Sequence, residues 1–155
     1  MVSLFELNYK YIIDTSAILT QKDDEKHSRK VFGGLWNNID SMIKRNEIVT
    51  CSEIALEVED DSLKPWMKQI ETIAIDDEIQ ELVKKVVTTN KQLVDFKKNK
   101  SSGDAFLIAT ALKHNLVVIA EEDKKSPKKI PQTCNMLGLE CVNIVELCER
   151  EGWSF

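Results

Sequence analysis

Glycine and proline are scarce in this chain, with 5 and 3 among 155 residues, which excludes a collagen-like or low-complexity polypeptide. Long apolar runs are missing too. Stretches such as Phe106-Leu107-Ile108-Ala109 and Leu116-Val117-Val118-Ile119-Ala120 fall far short of the ~20 residues that span a bilayer, so no transmembrane helix is expected. The first ten residues include Glu6 and lack both a basic segment and a long apolar one; nothing there signals export, and a cytoplasmic protein is expected. Cys51, Cys134, Cys141 and Cys148 contain no C-x-x-C pair, which favours reduced core thiols over disulfides or a zinc site. Positive charge is in deficit as well. The formal net charge of -5 argues against a broad nucleic-acid-binding surface.

What is present is 43% hydrophobic and 30% charged residues, suited to one compact domain over residues 1–155 that buries about two-thirds of its unfolded surface. Strand and helix signals alternate, without internal repeats. Lys10 to Ile13 read as a short strand ended by polar Asp14-Thr15-Ser16, and Ala17 to Leu19 begin a helical stretch. The charged segment Gln21 to Lys30 is expected as a solvated loop. From Val31 to Arg45, apolar Phe32, Leu35, Trp36, Ile39, Met42 and Ile43 recur at helical spacing and predict one buried stripe. Glu47 to Cys51 read as a second strand, and Ser52 starts a helix through about Val58. Pro65 marks a short helix or turn between Leu63 and Gln69, and Thr72 to Ile75 read as a short strand.

A long helix is expected from Asp76 to Phe96, with Ile79, Leu82, Val83, Val86 and Val87 on one side, then a loop at Lys97 to Lys100. Ser102 is the expected N-cap of a nearly all-apolar helix, Ala105 to Lys113, closed by Asn115. Leu116 to Ala120 is a continuous apolar strand of the kind found inside a parallel sheet covered on both faces. A lysine-rich loop with Pro127 and Pro131, a short helix near Gln132 to Leu137, a last strand at about Glu140 to Ile144 and a helix from Val145 complete the reading.

This alternation predicts an α/β fold with a central parallel sheet and right-handed crossovers. Strand C-termini and helix N-termini then share one edge, where ligands bind. Asp14 and Glu122 lie just beyond their strands, Glu57 lies in the helix after the second strand, and Asp104 sits in the first turn of the apolar helix. All four can face one crevice. Two like charges ~4 Å apart repel by roughly 4 kcal/mol at an effective dielectric of about 20, and a bound cation would relieve that cost. Hard oxygen ligands favour Mg2+ or Mn2+, which activate water and neutralise charge developing on a phosphate. Each acid has an ordinary alternative. Asp14-Thr15-Ser16 also reads as a helix cap, Asp104 as a complement to its helix dipole, Glu57 as a solvated helix residue, and Glu121-Glu122-Asp123 as an exposed turn. Glu53, about one helical turn before Glu57, is the rival for the second position.

Ile12-Ile13-Asp14-Thr15-Ser16, an acid in the helix after the second strand, and Gly103-Asp104-Ala105-Phe106-Leu107-Ile108-Ala109 before an apolar strand ending in an acid resemble, in order and spacing, the PIN-domain family of metal-dependent nucleases. Ile130-Pro131-Gln132-Thr133-Cys134 and Gly152-Trp153-Ser154-Phe155 look like a prokaryotic PIN subfamily, so the resemblance covers nearly the whole chain. It implies a three-layer α/β/α fold, a pocket in which Asp14, Glu57, Asp104 and Glu122 hold one or two Mg2+ or Mn2+ ions, and hydrolysis of RNA phosphodiester bonds. Ser16 falls on the family's small polar position and is expected to hydrogen-bond near the ligands. The family's strand-end Thr-x-Asp is replaced here by Ala120-Glu121-Glu122, with a longer carboxylate and no Thr hydroxyl.

Lys124, Lys125, Lys128 and Lys129 follow at once and are candidate phosphate contacts, with solvated loop lysines as the ordinary alternative. The resemblance to small prokaryotic PIN proteins further implies the toxin of a toxin-antitoxin pair. RNA is then the substrate, an antitoxin protein or a second copy of the chain the candidate partner, and no membrane is involved. Two other classes stay open: an inactive PIN-like scaffold that binds a protein partner, and a phosphate-transfer enzyme using Asp14 as nucleophile. The haloacid-dehalogenase form of the latter needs a second Asp where Ser16 stands.

Overall fold

The computed structural model describes residues 8–93 and 103–155. Its strands are β1 (Tyr11–Ile13), β2 (Ile48–Cys51), β3 (Glu71–Ile73), β4 (Val117–Ile119) and β5 (Cys141–Val142), paired in parallel in the order β3-β2-β1-β4-β5. Its helices are α1 (Thr15–Ile18), α2 (Gly33–Lys44), α3 (Ser52–Glu57), α4 (Lys64–Met67), α5 (Asp77–Thr89), α6 (Gly103–His114), α7 (Ile130–Met136) and α8 (Ile144–Glu151). Neighbouring residues of a strand point to opposite faces. Ile12 and Ile13 in β1, like Val118 and Ile119 in β4, are nevertheless fully buried. Helices therefore cover the sheet on both sides, and the architecture is α/β/α.

Hydrophobic periodicity explains the helices that pack on this sheet. Leu35, Trp36, Ile39, Met42 and Ile43 form the buried stripe of α2, at the spacing of one helical face. In α6, Ala105 and every residue from Leu107 to Ala111 are buried, and the helix touches α5 and strands β1, β2 and β4. Asn115, at φ 55°, ends it in the left-handed conformation that Asn tolerates. The chain steps from β1 to β2 and β3, then returns to the far side of β1 as β4. The strand order thus reverses between β1 and β4, the place where open α/β sheets form a crevice.

Several boundaries differ from the sequence reading. The loop of residues 21–30 is only partly solvated, because Gln21, His27 and Ser28 are buried. Arg29 fastens it, donating to Gln21 at 2.8 Å and through both terminal nitrogens to Asp40 at 3.0 Å, while the Trp36 indole N–H donates to the His27 carbonyl at 2.6 Å. α2 begins only at Gly33, which leaves Val31 and Phe32 exposed. β5 stops at Val142, because Asn143 and Glu146 form a capping box that draws Ile144 into α8. Pro131 lies in the first turn of α7 rather than in the preceding loop, where its missing N–H leaves no bond unmade.

α5 ends at Thr89 instead of running on to Phe96, because Asn90 turns extended and its buried amide donates to the Pro127 carbonyl at 2.7 Å and to Thr133 Oγ1 at 2.8 Å. Residues 94–96, the expected loop at Lys97 to Lys100 and the expected cap Ser102 lie outside the described residues. All four cysteines are free, Cys51 and Cys134 buried and Cys141 and Cys148 half-buried. No helix among the described residues is long and apolar enough to cross a membrane.

Asn90 thus pins the loop before α7 to the end of α5. Replacing it by Ala leaves the buried Thr133 and the Pro127 carbonyl without that donor. Asn90→Ala is expected to lower unfolding free energy by about 1–3 kcal/mol, read from urea denaturation curves. An unchanged midpoint would mean that water replaces the amide.

Candidate active site

Parallel pairing of Ile13 with Ile119 brings the C-terminal ends of β1 and β4 side by side, and the Asp14 N–H donates to the Ile119 carbonyl at 2.9 Å. Asp14, the first residue past β1, is 2% exposed. It does cap α1: one oxygen, Oδ2, accepts from the Ser16 N–H at 3.1 Å and from the Ser16 hydroxyl at 2.6 Å. Ser16 Oγ in turn accepts the Glu121 N–H at 3.0 Å, so one serine ties the end of β4 to the Asp14 carboxylate. The other oxygen, Oδ1, is buried and has no hydrogen-bond partner among the described residues. Burial pushes the Asp14 carboxyl up to about 6; the Ser16 hydrogen bonds oppose this, and the charges of Glu122 and Glu57 add to it.

Asp104 sits in the first turn of α6 and is displaced further. Burial pushes its carboxyl up to about 8, helped by the charges of Asp14, Glu122 and Glu57 and opposed by Lys129. The sheet edge therefore gathers all four expected acids within electrostatic reach of one another. Glu57 closes α3, with Oε2 accepting from the Thr15 hydroxyl at 2.8 Å and Oε1 from the Gly103 N–H at 3.0 Å. Glu122 Oε1 accepts from the Ile130 N–H at 3.1 Å, and its Oε2 lies 3.8 Å from Lys129 Nζ. Glu53 instead lines a groove with Ile75, Gln80 and Lys84 on the α5 side, which leaves Glu57 as the acid of this helix that faces the pocket.

The acidic run after β4 divides. Glu122 faces the pocket, whereas Glu121 turns away, accepting from the Ile144 N–H at the start of α8 at 2.6 Å and pairing with Lys26 at 3.2 Å. The lysines divide as well. Lys129 reaches the acids, Lys124 pairs with Glu146 on α8, and Lys125 and Lys128 are exposed. Thr15 and Gly103, to which the sequence reading assigned no role, both hold Glu57. Their sequence signal was membership of the motifs Ile12-Ile13-Asp14-Thr15-Ser16 and Gly103-Asp104-Ala105-Phe106-Leu107-Ile108-Ala109, in which each directly neighbours one of the other acids.

The arrangement offers hard oxygen donors at one edge of the sheet, from the buried Asp14 through the half-buried Asp104 and Glu122 to the exposed Glu57, with an acceptor on Asp14 orphaned among the described residues; buried polar atoms without partners are rare. Such a donor set suits a hard divalent cation. The acids converge without closing: among the described residues, no group of three or more His, Cys, Asp or Glu side chains is placed to hold a metal ion as it stands. Glu57 and Glu122 each keep one oxygen on a backbone N–H.

The parallel order β3-β2-β1-β4-β5 with helices on both faces is a PIN-like fold. It matches the solved structure of DNA-bound VapBC from Salmonella typhimurium, with a TM-score of 0.57 and 16% identity over 88% of this chain and 98% of that one. FitAcB from Neisseria gonorrhoeae matches with a TM-score of 0.57 and 14% identity over 87% and 98% of the two chains. VapBC2 from Rickettsia felis, solved with a fragment of promoter DNA, matches with a TM-score of 0.54 and 17% identity over 86% and 97%. At these identities the likeness concerns the fold. By sequence the chain belongs to the DUF4411 family, described as a domain of unknown function, whose profile matches residues 11–155. No curated protein matches it in sequence.

The raised carboxyls have a consequence for stability. An Asp in the unfolded chain titrates near pH 4, so between about pH 4 and the folded values of about 6 and 8 the folded state keeps protons that the unfolded chain has released. This contribution is fully present below about pH 4 and is lost as pH rises through the folded values. In EDTA, Asp104→Asn is expected to melt above wild type near pH 8, with the gap closing towards about pH 4. Melting curves across that range check it; a gap independent of pH would mean that Asp104 titrates like a surface carboxylate.

Proposed function

We propose that this chain is a metal-dependent endoribonuclease in which Asp14, Glu57, Asp104 and Glu122 hold Mg2+ or Mn2+. One observation carries the reading: a buried Asp14 oxygen without a partner among the described residues, set among mutually repelling carboxylates at the crevice where the strand order reverses. A divalent ion bound there supplies neutralisation of charge on a phosphodiester and acidification of water. Asp14 and Asp104 are the innermost donors, and Glu57 and Glu122 complete the set from α3 and from the end of β4. Ser16 orients Asp14 through the hydroxyl and N–H that Oδ2 accepts. A haloacid-dehalogenase nucleophile at Asp14 would need a second Asp where Ser16 stands. Lys129, beside Glu122, is the lysine placed to meet a phosphate.

RNA as substrate follows from the resemblance to PIN nucleases. The shared fold with VapBC and FitAcB supports the reading that the chain is the toxin of a toxin-antitoxin pair, with an antitoxin protein as its partner. Incubation with single-stranded and structured RNAs tests the activity directly. Cleavage is expected to need Mn2+ or Mg2+, to stop in EDTA, and to fall by roughly 100-fold or more in Asp104→Asn. Wild-type cleavage by that variant would overturn the site assignment, and absence of cleavage by the wild-type protein with either metal would leave the scaffold reading.

The divided lysines make a second expectation specific. Lys129→Gln is expected to weaken RNA binding and to reduce the slope of log affinity against log salt by about 0.7–1. Lys124→Gln, whose amine is held by Glu146, is expected to change neither. Equal effects of the two substitutions, measured by fluorescence anisotropy across a salt series, would contradict this division.

A further inference from the structure

Glu57 reaches the pocket from the last residue of α3, on a flexible side chain whose two described hydrogen bonds both come from other elements. The Thr15 hydroxyl donates to Oε2 at 2.8 Å and the Gly103 N–H to Oε1 at 3.0 Å. Thr15 directly follows Asp14, and Gly103 directly precedes Asp104. Each donor is therefore bonded to one of the other acids, and the two hydrogen bonds tie Asp14, Glu57 and Asp104 into one arrangement.

Gly103 supplies space as well as a donor. A Cβ added there would stand 2.1 Å from Glu57 Oε1 and 2.7 Å from its Cδ, far inside contact distance. The backbone does not ask for glycine at this position, because the positive-φ glycines among the described residues are Gly138 and Gly152. What the absent side chain leaves room for is the Glu57 carboxylate.

We propose that Thr15 and Gly103 are positioning residues that clamp the Glu57 carboxylate toward Asp14 and Asp104, and that position 103 is glycine because this carboxylate occupies the place of a Cβ. The proposal rests on reading the pocket as a cation site. Partners that orient a ligating side chain typically change metal affinity by about 10–100-fold when removed.

Mn2+ titration calorimetry on the full chain tests it, with Gly103→Ala, Thr15→Val and Thr15→Ser each made in the wild-type and the Glu57→Gln backgrounds. Gly103→Ala and Thr15→Val are expected to weaken Mn2+ binding by about 10–100-fold, and Thr15→Ser to bind as wild type does. In the Glu57→Gln background both effects are expected to vanish, since they act through that carboxylate. Gly103→Ala is expected to stay folded, because the clash is with the far end of a flexible side chain; should it fail to fold, Thr15→Val and its serine rescue carry the test. Equal losses in both backgrounds, unchanged affinity in the clamp variants, or normal binding by Glu57→Gln would overturn the positioning role while the cation reading stands. A wild-type protein that takes up no Mn2+ would overturn both.

Discussion

The burial of the Asp14 carboxylate at the end of β1 constrains everything around it. Removing a charged carboxylate from water costs several kcal/mol even after relaxation, and this one is 2% exposed with, among the described residues, one oxygen bonded only to Ser16 and the other to nothing. The cost is imposed by the sheet: β1 lies in the middle of five parallel strands, so a residue one step beyond Ile13 emerges into a crevice walled by β4 and α6 rather than into solvent. Ser16 makes the placement specific, because its hydroxyl answers Asp14 on one side and the Glu121 N–H on the other. The end of β4 and the first acid are thereby held in a common frame, and the turn that carries Glu122 into the pocket starts from it.

Around that point the acids are arranged against their own electrostatic interest. Asp14 and Asp104 are both displaced upward, first by burial and then by the other carboxylates. A fold selected for stability alone would separate them or replace one with an apolar residue of similar volume. Structural carboxylates elsewhere in the chain behave differently: Asp60, held by Lys22 and Ser62, lies well below the usual carboxylate range, and Asp76 is lowered by Lys113 and by capping α5. Perturbation by desolvation and like charge in a cleft marks a functional site more often than a structural one.

The shared fold locates the pocket and leaves its chemistry to particular side chains. The strand-end departure is instructive in this respect. With Glu121 turned to the N-terminus of α8 and to Lys26, the acid at position 122 comes to the pocket with its longer side chain braced by the Ile130 N–H. The loop between β4 and α7 is in turn held by Asn90 from the end of α5. The lysine that reaches the acids is the one next to this brace, and the lysine drawn away is the one nearest α8.

The sequence by itself determined the strand and helix order, the parallel sheet, the nearly all-buried α6 and the edge at which Asp14, Glu57, Asp104 and Glu122 meet, because hydrophobic period and right-handed crossover are local rules with one global consequence. Only the tertiary structure turned Glu53 to the α5 side, turned Glu121 to the start of α8, buried Gln21, His27 and Ser28 in a segment that reads as solvated, and gave Thr15 and Gly103 a common task. The outcomes for Glu57 and Glu121 depend on hydrogen bonds between residues far apart in the chain, and the segment of Gln21, His27 and Ser28 is fastened by side chains of Arg29, Trp36 and Asp40. Periodicity reports which face of an element is buried; it carries no information about which distant donor a carboxylate will find.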